Sequence, residues 1–426
     1  MSAPSPIAAW NVAIDALPLS DVRSIGRTLI WIGATAILVG MFMTPPWVNI
    51  GLALGVVGAV MTRAPLLSLP VVGWGAAFAG WLALTVIVGA LRKQAYADQV
   101  PGVVHAWLCL PIVAAAAVSV QWRGIAVRVL IVAAIAAAIV GVLQFTIGLG
   151  TGFLRIDPNG TEHFTVSRGF SALHLTFGFA GALLAALSAQ PHAAMGLSTA
   201  WAWVGRGVAL VVLGICGARS AVLGGAAGIV AALATRGRSW LIIAGITAVA
   251  LVGLVLGRMA LTDSGRLHNM FAGTDGRWAI WATSAAMVKE HPFVGMGGRE
   301  AYKLAYNATY ERVAPGPPNE FGNTEGCAHA HNWLLALAAE HGLPAVVLHL
   351  ALIGAVLVTC WRHRRESPAG WGTAAAVTTT ALIAGVFEPY PTQAVPGAAF
   401  HACLGVALGL AYAGRTDDAG AHAKAA

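Results

Sequence analysis

Apolar residues run along this chain in long unbroken blocks separated by short polar joints, not in the alternation of a half-buried strand. The blocks fall at 28–44, 47–62, 66–90, 103–120, 126–149, 170–189, 199–216, 220–235, 239–257, 331–358, 370–386 and 396–413. A hydrocarbon core about 30 Å thick takes roughly 20 residues of helix, so each block is read as one spanning helix. Continuous runs rich in Ala, Leu, Val and Gly also lack the dyad pattern of a membrane β-barrel. The predicted class is therefore an all-α polytopic membrane protein with about 12 transmembrane helices.

Two stretches between blocks are too long to be turns, 150–169 and 258–330. Arg63, Arg123, Arg128, Arg236, Arg238, Arg362, Arg364 and Arg365 all fall on the other side if the spans alternate, with Arg23 and Arg27 ahead of the first. Basic short loops mark the cytoplasmic face, which places both termini inside and both long stretches outside; Arg92 and Lys93 are the exception. The expected organisation is a membrane domain over 1–257, a long loop over 258–330, and the last three spans with a short cytoplasmic tail over 331–426. The first 22 residues lack the basic start and cleavage site of a signal peptide. Ile7, Trp10, Ile14 and Leu17 share a helical face there, as in a helix lying on the membrane surface. Within the long loop Trp278, Trp281, Ala285 and Val288 recur at helical spacing opposite Arg277 and Ser284, which predicts an amphipathic helix at headgroup level.

Composition supports lipid as the solvent: apolar residues make up 58% of 426 positions, charged residues 10%, and mean hydropathy is +0.75. The net charge of +8 is spread over inter-span joints, so binding of nucleic acid is not implied. The five cysteines have no paired spacing, which indicates neither a disulfide framework nor a zinc site.

Candidate chemistry concentrates where the long loop meets the tenth block, in Cys327-Ala328-His329-Ala330-His331-Asn332-Trp333. His331 is expected in the first turn of that span. There the helix dipole disfavours an imidazolium and leaves a neutral base, although on residue type alone a histidine that merely caps the helix at an interface is the commoner case. His329 with His331 matches no accepted metal spacing, and Glu320 and Glu325 are the only nearby upstream carboxylates. Arg219, between two apolar blocks, needs an anion or water at membrane depth. Arg277 and Arg168 fall on the same side. Three arginines there suit a diphosphate, whose oxygens the planar fork binds in pairs; the alternative for each is interfacial anchoring.

These residues resemble the O-antigen ligases and their relatives, the O-antigen polymerases and the bacterial protein O-oligosaccharyltransferases. His331-Asn332, nine residues, then Gly342 is similar to the ligase signature, with Ala345 where that signature has a further Gly. Arg219-Ser220 resembles the family's Ser-Arg-Gly turn in altered order. Arg277 to Trp281, followed by Glu290-His291-Pro292-Phe293-Val294-Gly295-Met296-Gly297, is similar to its Arg-x3-Trp and Asp-His-Pro-x2-Gly-x-Gly segments.

The resemblance implies a glycosyltransferase C-type scaffold in the bacterial inner membrane, with a periplasmic active site. It implies transfer of O-antigen polysaccharide from an undecaprenyl diphosphate-linked donor to the lipid A core oligosaccharide, completing lipopolysaccharide by metal-independent inverting transfer, with no cofactor. Thr44-Pro45-Pro46-Trp47 lacks the acidic residues that metal-dependent enzymes of that class place in their first outer turn. On this reading His331 is the catalytic base, and Arg219 and Arg277, with Arg168 third, bind the diphosphate. O-antigen or exopolysaccharide polymerisation, or protein glycosylation, are the related alternatives. From another class, a 12-span secondary transporter would place ionisable residues in corresponding positions of two halves, and the first half here is almost free of them.

Overall fold

A computed structural model describes residues 22–42, 45–62, 70–92, 100–147, 155–156, 162–163, 174–215, 219–237, 242, 246, 249, 253, 276–313, 329–392 and 394–425. The membrane part comprises α1 (Val22–Gly40), α2 (Pro45–Thr62), α3 (Pro70–Leu91), α4 (Val100–Ala117), α5 (Val120–Ile147), α6 (His174–Ser188), α7 (Thr199–Ile215) and α8 (Arg219–Ala234). After these come α9 (Gly276–Glu290), α10 (Arg299–Val313) and α11 (Trp333–His341), then α12 (Leu343–Arg362), α13 (Pro368–Gly385) and α14 (Ala394–Ala425). A two-residue antiparallel pair sets Arg155 opposite His163 and Ile156 opposite Glu162, inside the first long stretch.

The protein is a helical membrane protein. Four described helices are long and apolar enough to cross a bilayer: Val71–Leu91, Val120–Ile139, Leu343–Arg362 and Val395–Ala413. Shorter apolar helices cover most other blocks. Of the ninth block only Ile242, Ile246, Val249 and Gly253 are described, all helical and exposed on one face. The proposed surface helix near the N-terminus and Arg168 lie outside the described residues. Large apolar side chains such as Val60, Leu91 and Leu210 point outward. Water would penalise such a surface, and hydrocarbon does not.

Because lipid gives helices no hydrophobic reason to associate, close packing of small residues holds them together. On α1 a Cβ at Gly33 would lie 2.5 Å from the Gly51 carbonyl of α2, so the two backbones touch there. Gly405 and Gly409 seat α14 against α4 in the same way, and Gly224 and Gly228 seat α8 against α13. From Val395 to Ala413, α14 is buried on every side, which makes it the axis of the bundle.

Two expectations change at the long loop. The run 331–358 is not one span: it breaks at Gly342 into α11 and α12, with Pro344 in the first turn of α12. The face of α9 turned to the protein is Ile280, Thr283, Ser284 and Met287, whereas Trp278 is exposed and Trp281 half-buried. Ser284 can be buried because its hydroxyl bonds the Ile280 carbonyl at 2.7 Å and the Tyr302 hydroxyl at 2.8 Å. Packing against α10 thus overrides the amphipathic pattern, and α9, α10 and α11 share a small core of their own around Ile280, Met287, Tyr302 and Tyr306.

The α1–α2 contact predicts that Gly33→Leu forces the two helices apart, at a cost of about 1–3 kcal/mol. Thermal unfolding in detergent should fall by several degrees for Gly33→Leu. Gly73→Ala, with open space around it, should leave the midpoint unchanged.

Candidate active site at the α11 end of the bundle

A nine-residue helix needs help at both ends, since short helices are marginal alone. At the start of α11 the Asn332 side chain accepts from the backbone N–H of Leu334 (3.0 Å) and Leu335 (3.1 Å), the work of an N-cap. At the end, Met296 N–H bonds the Ala339 carbonyl, and Gly297 and Gly298 N–H both bond the Glu340 carbonyl. Leu343 N–H returns to the Pro292 carbonyl at 2.7 Å. Gly295 and Gly342 have φ of +63° and +83° and meet backbone where a Cβ would be, so only glycine fits the wrap. The spacing from Asn332 to Gly342 is therefore the length of a helix, from its N-cap to its C-cap.

This corrects the placement of His331. It lies one residue before the N-cap, outside the first turn, with φ of +48°, the one non-glycine residue at positive φ among those described. Such a conformation costs of order 1 kcal/mol or more and persists only where neighbours hold it. The helix dipole falls off beyond the first turn, so its hold on this imidazole is weaker than expected. The His331 ring stands edge-on to His329 with centroids 4.2 Å apart. Burial pushes His329 down to about 3, with the nearby His331 and Arg299 adding to the effect, so His329 is a neutral wall beside a half-buried His331.

Three motif segments converge on Val386-Phe387-Glu388, the turn that leaves α13. Asn332 Nδ2 donates to the Val386 carbonyl at 3.1 Å. The Arg277 guanidinium lies 5.3 Å from the centre of the Phe387 ring. Ser220 Oγ donates to Glu388 Oε1 at 3.4 Å. Burial pushes the Glu388 carboxyl up to about 8, opposed by the charge of Arg277 and by the Ser220 bond. Arg219 opens α8 one residue before Ser220, so its backbone is at this junction; its side chain is outside the description, as is Arg168. The structure thus brings together the segments of His331, Arg277 and Arg219. Beside them a small cleft is lined by Phe179, Ser220, Ala221, Ala384, Glu388, Tyr390 and Pro396, with mostly apolar walls.

Glu388 and Glu340 are two further carboxylates at this end of the bundle that the sequence motifs do not single out. Each had a signal, as a lone carboxylate just past, or inside, an apolar block. Glu340 is fully buried on α11, accepts from Thr392 Oγ1 at 3.4 Å, and is pushed up to about 8 by burial, against the pull of Arg299. Beside it Thr85 Oγ1 donates to the Leu82 carbonyl and so accepts from His341 Nδ1 at 2.6 Å. Trp81 Nε1 donates to the His341 carbonyl at 2.9 Å, tying α11 to α3. Among the described residues no three His, Cys, Asp or Glu side chains converge as a metal set.

Residues 204–350 match the model of a family described as O-Antigen ligase, and this segment contains Arg219, Arg277 and His331. No curated protein matches the chain.

Glu340 yields a pH prediction. Its folded-state value lies above that of an unfolded carboxyl near 4.3, so the native state keeps its proton longer. This group's contribution is therefore fully favourable below the unfolded value and is lost as pH rises through about 8. Glu388 acts in the same direction, while His329 and His341, both depressed, cost stability only as pH falls below about 6.5. Chemical denaturation in detergent between pH 6.5 and 8.5 should show stability falling. Glu340→Gln should flatten that slope and be the more stable protein at the alkaline end, and an unchanged slope would refute the assignment.

Proposed function

We propose that this bearer of the O-antigen ligase family domain transfers O-antigen polysaccharide from undecaprenyl diphosphate to the lipid A core oligosaccharide, completing lipopolysaccharide. On this reading the site end of the bundle faces the periplasm, the membrane is the bacterial inner membrane, both termini are cytoplasmic, and the chain crosses twelve times on a glycosyltransferase C-type scaffold. The observation that carries the reading is the meeting of the Ser220, Arg277 and Asn332 segments on Val386–Glu388, at the mouth of a largely apolar cleft. A polyprenyl diphosphate has the matching division into apolar tail and anionic head.

The chemistry is a single displacement. The acceptor hydroxyl oxygen bonds to the anomeric carbon of the donor sugar while the bond from that carbon to the diphosphate oxygen breaks, so the anomeric configuration inverts. The hydroxyl proton passes to the His331 imidazole. Undecaprenyl diphosphate leaves with the electron pair, and the guanidinium groups of Arg219 and Arg277, with Arg168 third, stabilise the charge gathering on its oxygens. Glu388 fits this scheme as a neutral group. Raised to about 8, its carboxyl is mostly protonated at neutral pH and leaves the Arg277 charge for phosphate. No step uses a metal.

Purified protein in liposomes, given lipid-linked glycan with lipid A core, a second lipid-linked glycan or a protein acceptor, should form product only with the core. Product on either other acceptor would reassign it to polymerisation or protein glycosylation. Transfer should persist with a strong chelator. His331→Ala should lose roughly 100- to 10,000-fold in rate while still binding donor, and His329→Ala should be milder. Arg219→Lys and Arg277→Lys should each cost about 100-fold with weakened donor binding, because an ammonium cannot make the paired phosphate contact. Glu388→Gln should stay near the native rate while Glu388→Ala falls; equal losses would mean that the carboxylate form is needed.

A further inference from the structure

Two histidines lie inside the membrane bundle where neither the motifs nor the transfer chemistry calls for them. His349 on α12 and His401 on α14 are almost completely buried, and ionisable groups at such depth are costly unless they serve a purpose. Their rings stand nearly perpendicular with centroids 6.2 Å apart, and Phe78 packs against both. His349 Nε2 lies 3.2 Å from the Tyr390 hydroxyl, and His401 Nδ1 lies 2.7 Å from the Gly397 carbonyl. The other nitrogen of each ring, His349 Nδ1 and His401 Nε2, is buried with no protein partner among the described residues.

Hydrogen-bond polarity settles which nitrogen carries each proton. A carbonyl can only accept, so His401 Nδ1 is the protonated nitrogen and Nε2 presents a lone pair. Tyr390 has no other described acceptor for its hydroxyl proton, so it donates to His349 Nε2. In a neutral ring His349 Nδ1 then carries N–H. A buried donor on one ring and a buried acceptor on the other thus share the aromatic surroundings of Phe78 and Phe400, at a ring-centroid separation of 6.2 Å that one bridging water can span. Leaving both bare costs more than immobilising that water.

We propose that Tyr390, His349, one buried water and His401 form a hydrogen-bonded chain through the bundle, and that His349 and His401 are positioning residues for the cleft. Both ends of the site rest on this chain. Tyr390 lines the cleft, stacks on Phe179 at 5.5 Å and stands two residues after Glu388. His349 also packs edge-on against Trp333, the first residue of α11, at 5.5 Å, directly after the His331-Asn332 pair. The chain therefore fixes the Glu388–Tyr390 turn relative to the start of α11. Its role in positioning rests on the transfer function proposed above; the water itself does not.

An experimental map of the full-length protein in which ordered waters are visible should hold one solvent peak within hydrogen-bond distance of His349 Nδ1 and His401 Nε2. Two dry nitrogens would overturn the chain whatever the protein catalyses. In the transfer assay, His401→Leu should raise KM for the lipid-linked donor about 5- to 10-fold, the loss expected of a broken buried hydrogen bond, with monodisperse protein and little change in kcat. His401→Gln, which keeps an acceptor, should recover most of the loss. Tyr390→Phe combined with His401→Leu should be no worse than the stronger single change, because both cut one chain. Equal behaviour of the Leu and Gln variants, or additive losses in the double variant, would reduce these histidines to packing.

Discussion

The helix Trp333–His341 cannot stand on its own backbone hydrogen bonds, and the rest of the site follows from how its ends are closed. Nine residues leave nearly as many orphan N–H and carbonyl groups as the helix satisfies itself. Asn332 takes the N–H groups at one end, and the Gly295–Gly298 loop supplies N–H donors to the carbonyls at the other. Each closure brings a remote part of the chain with it. The cap's amide also grips Val386, and the loop is the exit of the helix that carries Arg277. Caps here do more than stop fraying, because they set the distance between groups far apart in sequence.

The turn after α13 is the counterpart of that helix. Val386, Phe387 and Glu388 each receive a different segment, through a backbone carbonyl, an aromatic face and a carboxyl. On the proposed function, a protonated carboxyl beside a guanidinium preserves positive charge for the diphosphate. An ionised one would cancel it. Burial, which raises the carboxyl, is thus an electrostatic choice as much as a packing outcome.

Much of this was legible in the sequence, for physical reasons. Unbroken apolar blocks translate directly into helices in lipid, because no other local structure satisfies the backbone there. Arg277, Arg219 and His331 stood out as charge or imidazole at block edges. What misled was continuity: a block that runs through Gly342 looks like one span, and only the loop wrapped around its glycine divides it into a short helix and a spanning one. The face of α9 was misjudged because Ser284 has Tyr302 as its partner, and a partner from another helix leaves no trace in local periodicity. Glu388 went unweighed because one carboxylate beside an apolar block looks like an ordinary joint until Ser220 and Arg277 are seen against it.

The seam between α3 and the Gly295–Gly298 loop is a contact of backbone on backbone, with Gly89 pressed to Gly297 and the indole of Trp81 holding the His341 carbonyl nearby. No side chain lies between the surfaces, so a larger residue at either glycine would push the unit of α9, α10 and α11 away from α3. On the proposed function this seam serves as a gauge of depth. For that transfer, the height at which two reactants anchored in the same bilayer can meet is written into the seam, and a glycan whose reactive end sat much higher or lower would pass the site without being aligned.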